Sequence, residues 1–337
     1  MTEALAGAVL RGGLATGVGS MPGTDPREAA AVVAGELPDL PHLVELPTRG
    51  PGADLLGRAA ALLLDLHVDL QPSGWRLVDR PGLDERRAAG YLSQDLDELE
   101  AHAQDVTGPV KLQIAGPWTL AAGLELPRGQ PVLGDRGAIR DLVASLAEGA
   151  AAHVADLRRR LPGATPVLQL DEPSLPAVLA GRVRRANGVG TINAVPEPDA
   201  EEALRAVVEA AGAFVVIHCC AATPPLDLAR RVGAVGVSAD LTVLAEGVAD
   251  ELGEVVEAGL VLLAGLVPSS GPVSGVADTV EPVRRLWRRL GLDEELLATR
   301  VVVTPTCGLA GASPDQARAA LALAREAARA LSEQEVR

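Results

Sequence analysis

The chain has 337 residues, of which 48% are hydrophobic, 22% are charged and only 1% are aromatic, with a formal net charge of −15 at pH 7. This length and composition suit a folded chain with a large core, while the acidic charge and the scarcity of aromatic rings argue against nucleic acid and anionic membranes as partners. No secretory signal and no apolar run long enough to cross a bilayer stands out, so we expect a cytoplasmic protein with reduced cysteines.

Short apolar runs alternate with longer amphipathic segments, a rhythm typical of a parallel sheet with crossover helices. The runs predict eight strands, at 15–20, 43–46, 110–115, 166–171, 214–220, 234–240, 260–267 and 301–306. The clearest predicted helices are 53–66, 140–161, 201–211, 248–258, 276–289 and 314–331. Eight such units predict an α/β fold, a (β/α)₈ TIM barrel formed by a single domain over residues 1–337. The long connection from Pro47 to Pro109 predicts an insertion after the second strand.

A doubly wound open sheet is the alternative architecture, and it usually carries a glycine-rich fingerprint after its first strand. The segment GVGSMP at 17–22 does not fit that fingerprint because Pro22 interrupts it, which favours the barrel. Lys111, the only lysine, is the single candidate for Schiff-base chemistry, and its sequence neighbours give no sign of a reactive amine.

Polar residues cluster at the carboxyl ends of the predicted strands, where the active site of such a barrel is built. In chain order they are Gly19 and Ser20, Glu45, Thr119, Asp171 and Glu172, His218 and Cys220, Asp240, and Cys307. Any one of them alone is explained by loop and helix-cap preferences. Their joint placement favours a functional site.

The three cysteines of the chain stand at two of these strand ends. Because side chains alternate along a strand, His218 and Cys220 share a face and Cys219 points away. His218, Cys220 and Cys307 can form a three-ligand zinc site with an open fourth position. The alternative is that the cysteines are small hydrophobes in a core. Thiolates suit zinc, and a substrate thiol on the open position would lose its proton at neutral pH and stay nucleophilic.

The motifs VGSMP at 18–22, QLDEP at 169–173, HCC at 218–220 and CGL at 307–309 together resemble the catalytic half of cobalamin-independent methionine synthase. That family lies in the superfamily that includes uroporphyrinogen decarboxylase. The resemblance covers nearly the whole chain and implies zinc (Zn²⁺) ligation by His218, Cys220 and Cys307.

The resemblance also implies how the methyl acceptor, homocysteine, is held. Gly19 and Ser20 would bind its carboxylate, while Asp171 and Glu45 would face its ammonium group. Zinc would act as Lewis acid and template, and the ordered acceptor would supply much of the rate advantage.

Three departures from the family bear on the zinc ion and the methyl donor. The glutamate ligand after His-x-Cys is missing, so Asp240 or a water would be the fourth ligand. No histidine occurs at 265–269, where the family has one that helps protonate the departing folate nitrogen, and the chain leaves no room for the family's amino-terminal half. These departures favour methylcobalamin or a corrinoid protein as the donor, because a reduced corrinoid leaves without a proton. No Asp-x-His-x-x-Gly motif occurs, so the corrinoid would arrive free or on a partner.

The sequence thus predicts a zinc-dependent methyltransferase that converts homocysteine to methionine, with Asp171 and Asp240 beside the reacting groups. Three alternatives remain. One is another corrinoid- or folate-dependent thiol methyltransferase, which would need no amino-acid clamp. The second is a uroporphyrinogen-decarboxylase-like enzyme, which would use arginines such as Arg11 and Arg49 and no zinc. The third is a non-catalytic zinc-binding or thiol-binding protein.

Overall fold

A parallel β-sheet forms the centre of the computed structural model, which describes residues 9–333. The strands are β1 His67–Gln71, β2 Gly74–Val78, β3 Pro109–Ala115, β4 Thr165–Asp171, β5 Phe214–His218, β6 Gly236–Asp240, β7 Val261–Val267 and β8 Val301–Pro305. Strands β3 to β8 form one six-stranded sheet in chain order, while β1 and β2 form a separate antiparallel hairpin. Since every neighbouring pair in this sheet is parallel, the carboxyl ends of all six strands lie along one edge.

The helices lie between these strands, and their bounds follow the predicted βα rhythm. They are α1 Pro26–Glu36, α2 Leu55–Ala60, α3 Leu83–Ala103, α4 Pro117–Gly123, α5 Arg136–Arg160, α6 Leu175–Leu179, α7 Glu197–Ala211, α8 Leu226–Arg231, α9 Val248–Glu257, α10 Val276–Leu290, α11 Glu294–Arg300 and α12 Pro314–Ser332. No helix in residues 9–333 is long and apolar enough to cross a membrane.

The first two predicted strands form single bridges instead of continuous ladders. Three parallel bridges join them to each other and to both edge strands of the sheet: Ala15 with Val303, Ser20 with Glu45, and His42 with Lys111. At the β8 edge the Thr16 N–H donates to the Val303 carbonyl at 3.1 Å. At the β3 edge the Leu43 N–H donates to the Lys111 carbonyl at 2.8 Å. The structure thus shows a curled six-stranded half-barrel with two bridged segments between its edges, and the eight-stranded barrel stays a prediction.

Two predicted elements are shorter than expected. Helix α2 covers only part of the predicted 53–66 segment because Asp54 caps its start through the Gly57 N–H. Past the helix, Asp65 has a φ of 60°, which a continuing helix does not allow. Strand β5 ends at His218, so Cys219 and Cys220 begin the following loop. The long connection holds two 3₁₀ turns, α2, the hairpin and α3.

The inner face of the sheet changes from apolar to polar along its strands. Near the amino ends it contributes Val167, Phe214, Val216, Val261, Leu263 and Val302 to a small buried cluster. Near the carboxyl ends the buried side chains are polar: Gln113, Gln169, Asp171, His218, Ser238 and Thr304. The larger core lies between the sheet and the surrounding helices. The buried polar side chains at the carboxyl ends of the strands thus lie above the apolar cluster at their amino ends.

Helix α12 gives a direct test of the local capping described here. Ser313 forms a capping box with Gln316, in which each side chain accepts from the backbone of the other. We expect Ser313→Ala to lower the free energy of unfolding by about 1 kcal/mol, measured by urea denaturation. Ser174→Ala is the control, because Ser174 precedes α6 without a capping hydrogen bond. Equal losses in the two variants would contradict the assigned cap.

Candidate active site

The thiols of Cys220 and Cys307 meet at the carboxyl edge of the sheet, with their Sγ atoms 3.8 Å apart. This distance is far longer than the roughly 2.05 Å of a disulfide bond. Two sulfur ligands at about 2.3 Å from a tetrahedral zinc ion would stand about 3.8 Å from each other. The two cysteines are therefore spaced as two ligands of one zinc ion.

His218 is the third predicted ligand, and it is buried at the end of β5. Its Nδ1 lies 2.9 Å from the Ser238 Oγ, which leaves Nε2 for a metal, as is usual for metal-binding histidines. Burial, helped by the charge of Lys111, lowers its pKa to about 4, so the imidazole is neutral, the form that binds metals. Over residues 9–333, however, no three His, Cys, Asp or Glu side chains are grouped closely enough to hold a metal as they stand. The structure therefore brings two of the three predicted ligands together.

The two paired thiols differ in their readiness to ionise. A hydrogen bond from Cys220 lowers the pKa of Cys307 to about 6, and the same contact raises the pKa of Cys220. Burial raises the pKa of Cys219 to about 11, in keeping with a core thiol. Cys307 is exposed and carries the more acidic thiol.

Asp240 lies at the end of β6, within electrostatic reach of the paired thiols. Its charge raises the pKa of Cys307. Its Oδ1 accepts from the N–H and hydroxyl of Thr242, at 2.8 and 2.6 Å. Gly265 on β7 allows the close approach, since a Cβ there would lie 3.1 Å from the Asp240 Cα and 3.0 Å from the Thr306 Cα.

Gly19 and Ser20 pack directly against the loop that carries Cys307. The Ser20 carbonyl accepts from the Leu309 N–H at 2.8 Å. A Cβ at Gly308 would stand 2.0 Å from the Ser20 Oγ, so a side chain at this position would displace the hydroxyl from where it lies. The predicted carboxylate-binding segment and a predicted zinc ligand are thus neighbours.

Asp171 and Glu45 are both buried beneath this edge. The Asp171 Oδ1 accepts from the Gln169 Nε2 at 2.7 Å. Burial and repulsion between the two carboxylates raise the pKa of Asp171. Burial also raises the pKa of Glu45, against the opposing charge of Arg58, whose Nε lies 3.8 Å from the Glu45 Oε1. Two buried carboxylates facing one region favour binding of a cation.

Lys111 is a buried charged group near the site whose environment sequence reasoning missed. Its ammonium is completely buried among polar partners: the Val18 carbonyl at 2.9 Å, the Gln169 Oε1 at 3.0 Å and the Gln113 Oε1 at 3.3 Å. Burial lowers its pKa to about 8, which corrects the expectation that nothing there suggests an unusual amine. The available signal was a lone lysine within the apolar strand β3, two residues before Gln113 and on the same face.

Glu172 and Trp118 have structural partners. Both carboxylate oxygens of Glu172 accept from the first turn of α4, at 2.9 Å from the Trp118 N–H and 2.8 Å from the Thr119 N–H. The indole N–H of Trp118 donates to the Ala200 carbonyl at 3.1 Å. A cavity of about 1000 Å³ opens beside Trp118 between α5 and α7, and none of the predicted site residues lines it.

Comparisons with known proteins bear on the family and the fold of the chain. The model of the family described as cobalamin-independent synthase, catalytic domain, matches residues 14–330. A B12-independent methionine synthase from Shewanella sp. W3-18-1, solved in complex with selenomethionine, aligns with a TM-score of 0.60 at 12% identity, covering 95% of this chain and 98% of that chain. At that identity the likeness shows a shared fold. A GH138 enzyme targeting pectin rhamnogalacturonan II aligns with a TM-score of 0.43 at 10% identity, over 92% of this chain and 35% of its own. No curated protein matches the chain.

The asymmetry of the thiol pair predicts selective alkylation of the metal-free, reduced protein. At neutral pH, iodoacetamide should modify Cys307 before Cys220 and Cys219, because the thiolate is the nucleophile. Cys220→Ala removes the hydrogen bond that stabilises the Cys307 thiolate, so the pKa of Cys307 should rise and its alkylation should slow about tenfold or more. Mass spectrometry over a pH series measures both effects. Cys219→Ala should leave the Cys307 rate unchanged, and a Cys307 rate that is insensitive to Cys220→Ala would refute the pairing.

Proposed function

The chain belongs to the cobalamin-independent synthase family, catalytic domain, and is a methyltransferase, and from this premise we propose that it methylates the thiol of homocysteine at a zinc ion to give methionine. The single observation that carries the proposal is the 3.8 Å separation of the Cys220 and Cys307 sulfurs, which suits two zinc ligands. The neutral imidazole of His218 at the end of β5, two residues before Cys220, supports the choice of third ligand.

The proposed zinc ligands are His218, Cys220 and Cys307, with Asp240 or a water in the fourth position. Asp240 is suited to this because no hydrogen bond to its Oδ2 is found among the described residues, while Oδ1 is held by Thr242. When bound, zinc lowers the pKa of a ligated thiol, so the acceptor is presented as a thiolate. Completing this ligand set requires His218 and the thiol pair to move closer together, since no three such side chains in residues 9–333 are grouped to hold a metal.

The proposed acceptor site uses the polar layer beneath the thiols. Gly19 and Ser20 would bind the carboxylate of homocysteine, and they lie against the same loop as Cys307. Asp171 and Glu45 would pair with its ammonium group, since charges taken out of water need a partner. The thiol would then point toward the cysteines, and Asp171 would act by orienting the acceptor.

We also propose that the two bridged segments complete an eight-stranded barrel with an insertion over 47–109, as one domain acting in the cytoplasm. The support is that parallel bridges link both segments to β8 and β3 and to each other. The fold shared over 95% of the chain with the Shewanella protein agrees with one continuous unit.

A decarboxylase of the uroporphyrinogen type is disfavoured by the two arginines that it would need. Arg49 is committed to Asp95, with 2.7 Å between the guanidinium and the carboxylate. Arg11 is exposed before the first bridged segment. Arg49 is therefore occupied, and Arg11 lies at the amino-terminal end of the sheet, away from the site, since the neighbouring Gly12 N–H donates to the Thr299 carbonyl just before β8.

The methyl donor is the point on which two observations differ. The family's description as cobalamin-independent disfavours a corrinoid. The segment GLVPS at 265–269 has no histidine or other titratable group to protonate a folate amine, which favours methylcobalamin or a corrinoid protein. We propose the corrinoid donor on the second observation.

Metal analysis tests the zinc site first. Reduced wild-type protein should carry about one zinc ion per chain, and Cys307→Ser should lose most of it, because a zinc site needs its full ligand set. Cys219→Ser is the matched control and should keep the metal. Adding homocysteine should change the zinc X-ray absorption edge by adding a sulfur ligand. A reduced wild-type protein that binds no zinc would overturn the proposed function.

A panel of donors tests the second half of the proposal. Zinc-loaded protein with homocysteine should form methionine from methylcobalamin and much more slowly from methyltetrahydrofolate, since the latter needs a general acid. Mass spectrometry of the products gives both rates, with Cys307→Ser as the inactive control. Faster turnover with methyltetrahydrofolate would overturn the corrinoid donor and leave the acceptor assignment standing.

A further inference from the structure

The ammonium of Lys111 contacts both halves of the proposed acceptor site. On one side it donates to the carbonyl of Val18, the residue directly before Gly19 and Ser20, at 2.9 Å. On the other it donates to the Gln169 Oε1 at 3.0 Å. A single buried cation thus joins two segments that are far apart in sequence.

Gln169 closes the connection to the ammonium-binding side. Its Nε2 donates to the Asp171 Oδ1 at 2.7 Å and to the Val18 carbonyl at 2.9 Å. The carboxamide of Gln169 therefore fixes Asp171 relative to Lys111, and both fix the chain that leads to Ser20. The order of contacts runs from the proposed carboxylate side, through Lys111, to the proposed ammonium side.

The charges of Lys111, Asp171 and Glu45 favour the same placement of Lys111 between the two sides of the site. Asp171 and Glu45 repel each other in a buried space, and both act on Lys111 with the opposite sign. Without the Lys111 charge, the two carboxylates would lose the buried cation that they share and would take up protons more readily. Protonated carboxyls would not select an ammonium group. The positive charge of Lys111 thus favours the anionic form of both carboxyls against burial, which raises the pKa of each.

We propose that Lys111 is a positioning and specificity-determining residue, which makes the site prefer an α-amino-acid thiol over a simple thiol by holding Val18 and Gln169 in place and balancing Asp171 and Glu45. The inference rests on the proposed function, because the preferred ligand is its acceptor. It assigns Lys111 no covalent step and no contact with the reacting sulfur.

The test compares two thiols on zinc-loaded protein by isothermal titration: homocysteine, and mercaptobutyrate, which is homocysteine without its amino group. Wild type should bind homocysteine at least about tenfold more tightly, because a buried charge-assisted pair is worth that much. Lys111→Met should bring the ratio of the two dissociation constants close to one while keeping the zinc content. In turnover, its KM for homocysteine should rise more than its kcat falls.

Two further variants make the result specific. Gln169→Leu keeps the Lys111 charge but cuts its link to Asp171, so it should also reduce the ratio, and it carries the test if Lys111→Met does not fold. Thr279→Val removes a buried hydroxyl of α10, bonded to the Gly275 carbonyl at 3.0 Å, and should leave the ratio at the wild-type value.

The outcomes separate the two proposals. An unchanged ratio in Lys111→Met, or in Gln169→Leu where the former does not fold, overturns the role of Lys111 and leaves the acceptor assignment intact. A wild-type protein that binds both thiols equally overturns homocysteine as the acceptor, and the inference with it.

Discussion

The burial of the Lys111 ammonium among carbonyl and carboxamide oxygens, within electrostatic reach of Asp171 and Glu45, is the constraint on which the interior of this site depends. A charge inside a protein has to be hydrogen-bonded and paired, and Lys111 meets both demands only if Val18, Gln169 and Asp171 are where they are. The apolar cluster at the amino ends of the strands prevents water from reaching it from below. The inner face of the sheet therefore carries two layers of side chains, one apolar and one polar. The polar layer lies at the carboxyl ends of the strands, where the loops leave it accessible to ligands.

Above that layer, close contacts between backbone segments bring the thiols of Cys220 and Cys307 together. Gly308 leaves room for the Ser20 hydroxyl, and Gly265 lets the ends of β6 and β8 approach across β7. As a result, Cys307 stands between the first bridged segment and Asp240, with Cys220 in contact. A thiol pair at this spacing is a soft donor pair, and in the proposed site the neutral imidazole of His218 would join it as the third ligand. Small residues at the strand ends thus matter as much to the site as its ligands do.

The sequence predicted the six strands of the main sheet well, but it did not predict that the first two segments form single bridges or that Lys111 is buried among polar partners. Strands β3 to β8 were found because they are apolar, short and bounded by turn residues. The two amino-terminal strands are single bridges because Gly17, Gly19 and Pro41 interrupt them, and a proline has no N–H to extend a ladder. The cysteines were placed correctly at the strand ends, although Cys220 lies just beyond β5. Lys111 was missed because its meaning comes from partners on other strands, which no local pattern records.

The same contacts indicate which side chains would serve the proposed methyl acceptor and which groups would be left for the methyl donor. Buried residues with fixed partners line the proposed acceptor side, whereas residues 268–275 after β7 carry hydroxyl groups and no acidic or basic side chain. The Ser269 N–H of this loop donates to the Thr306 Oγ1 at 3.2 Å. Glu172, whose pKa burial raises to about 7, has the acidity of a general acid, but both its oxygens are occupied by the first turn of α4. A leaving group that departs without a proton therefore matches the side chains that face the thiols, and a donor that needs protonation would have to bring its acid from solvent.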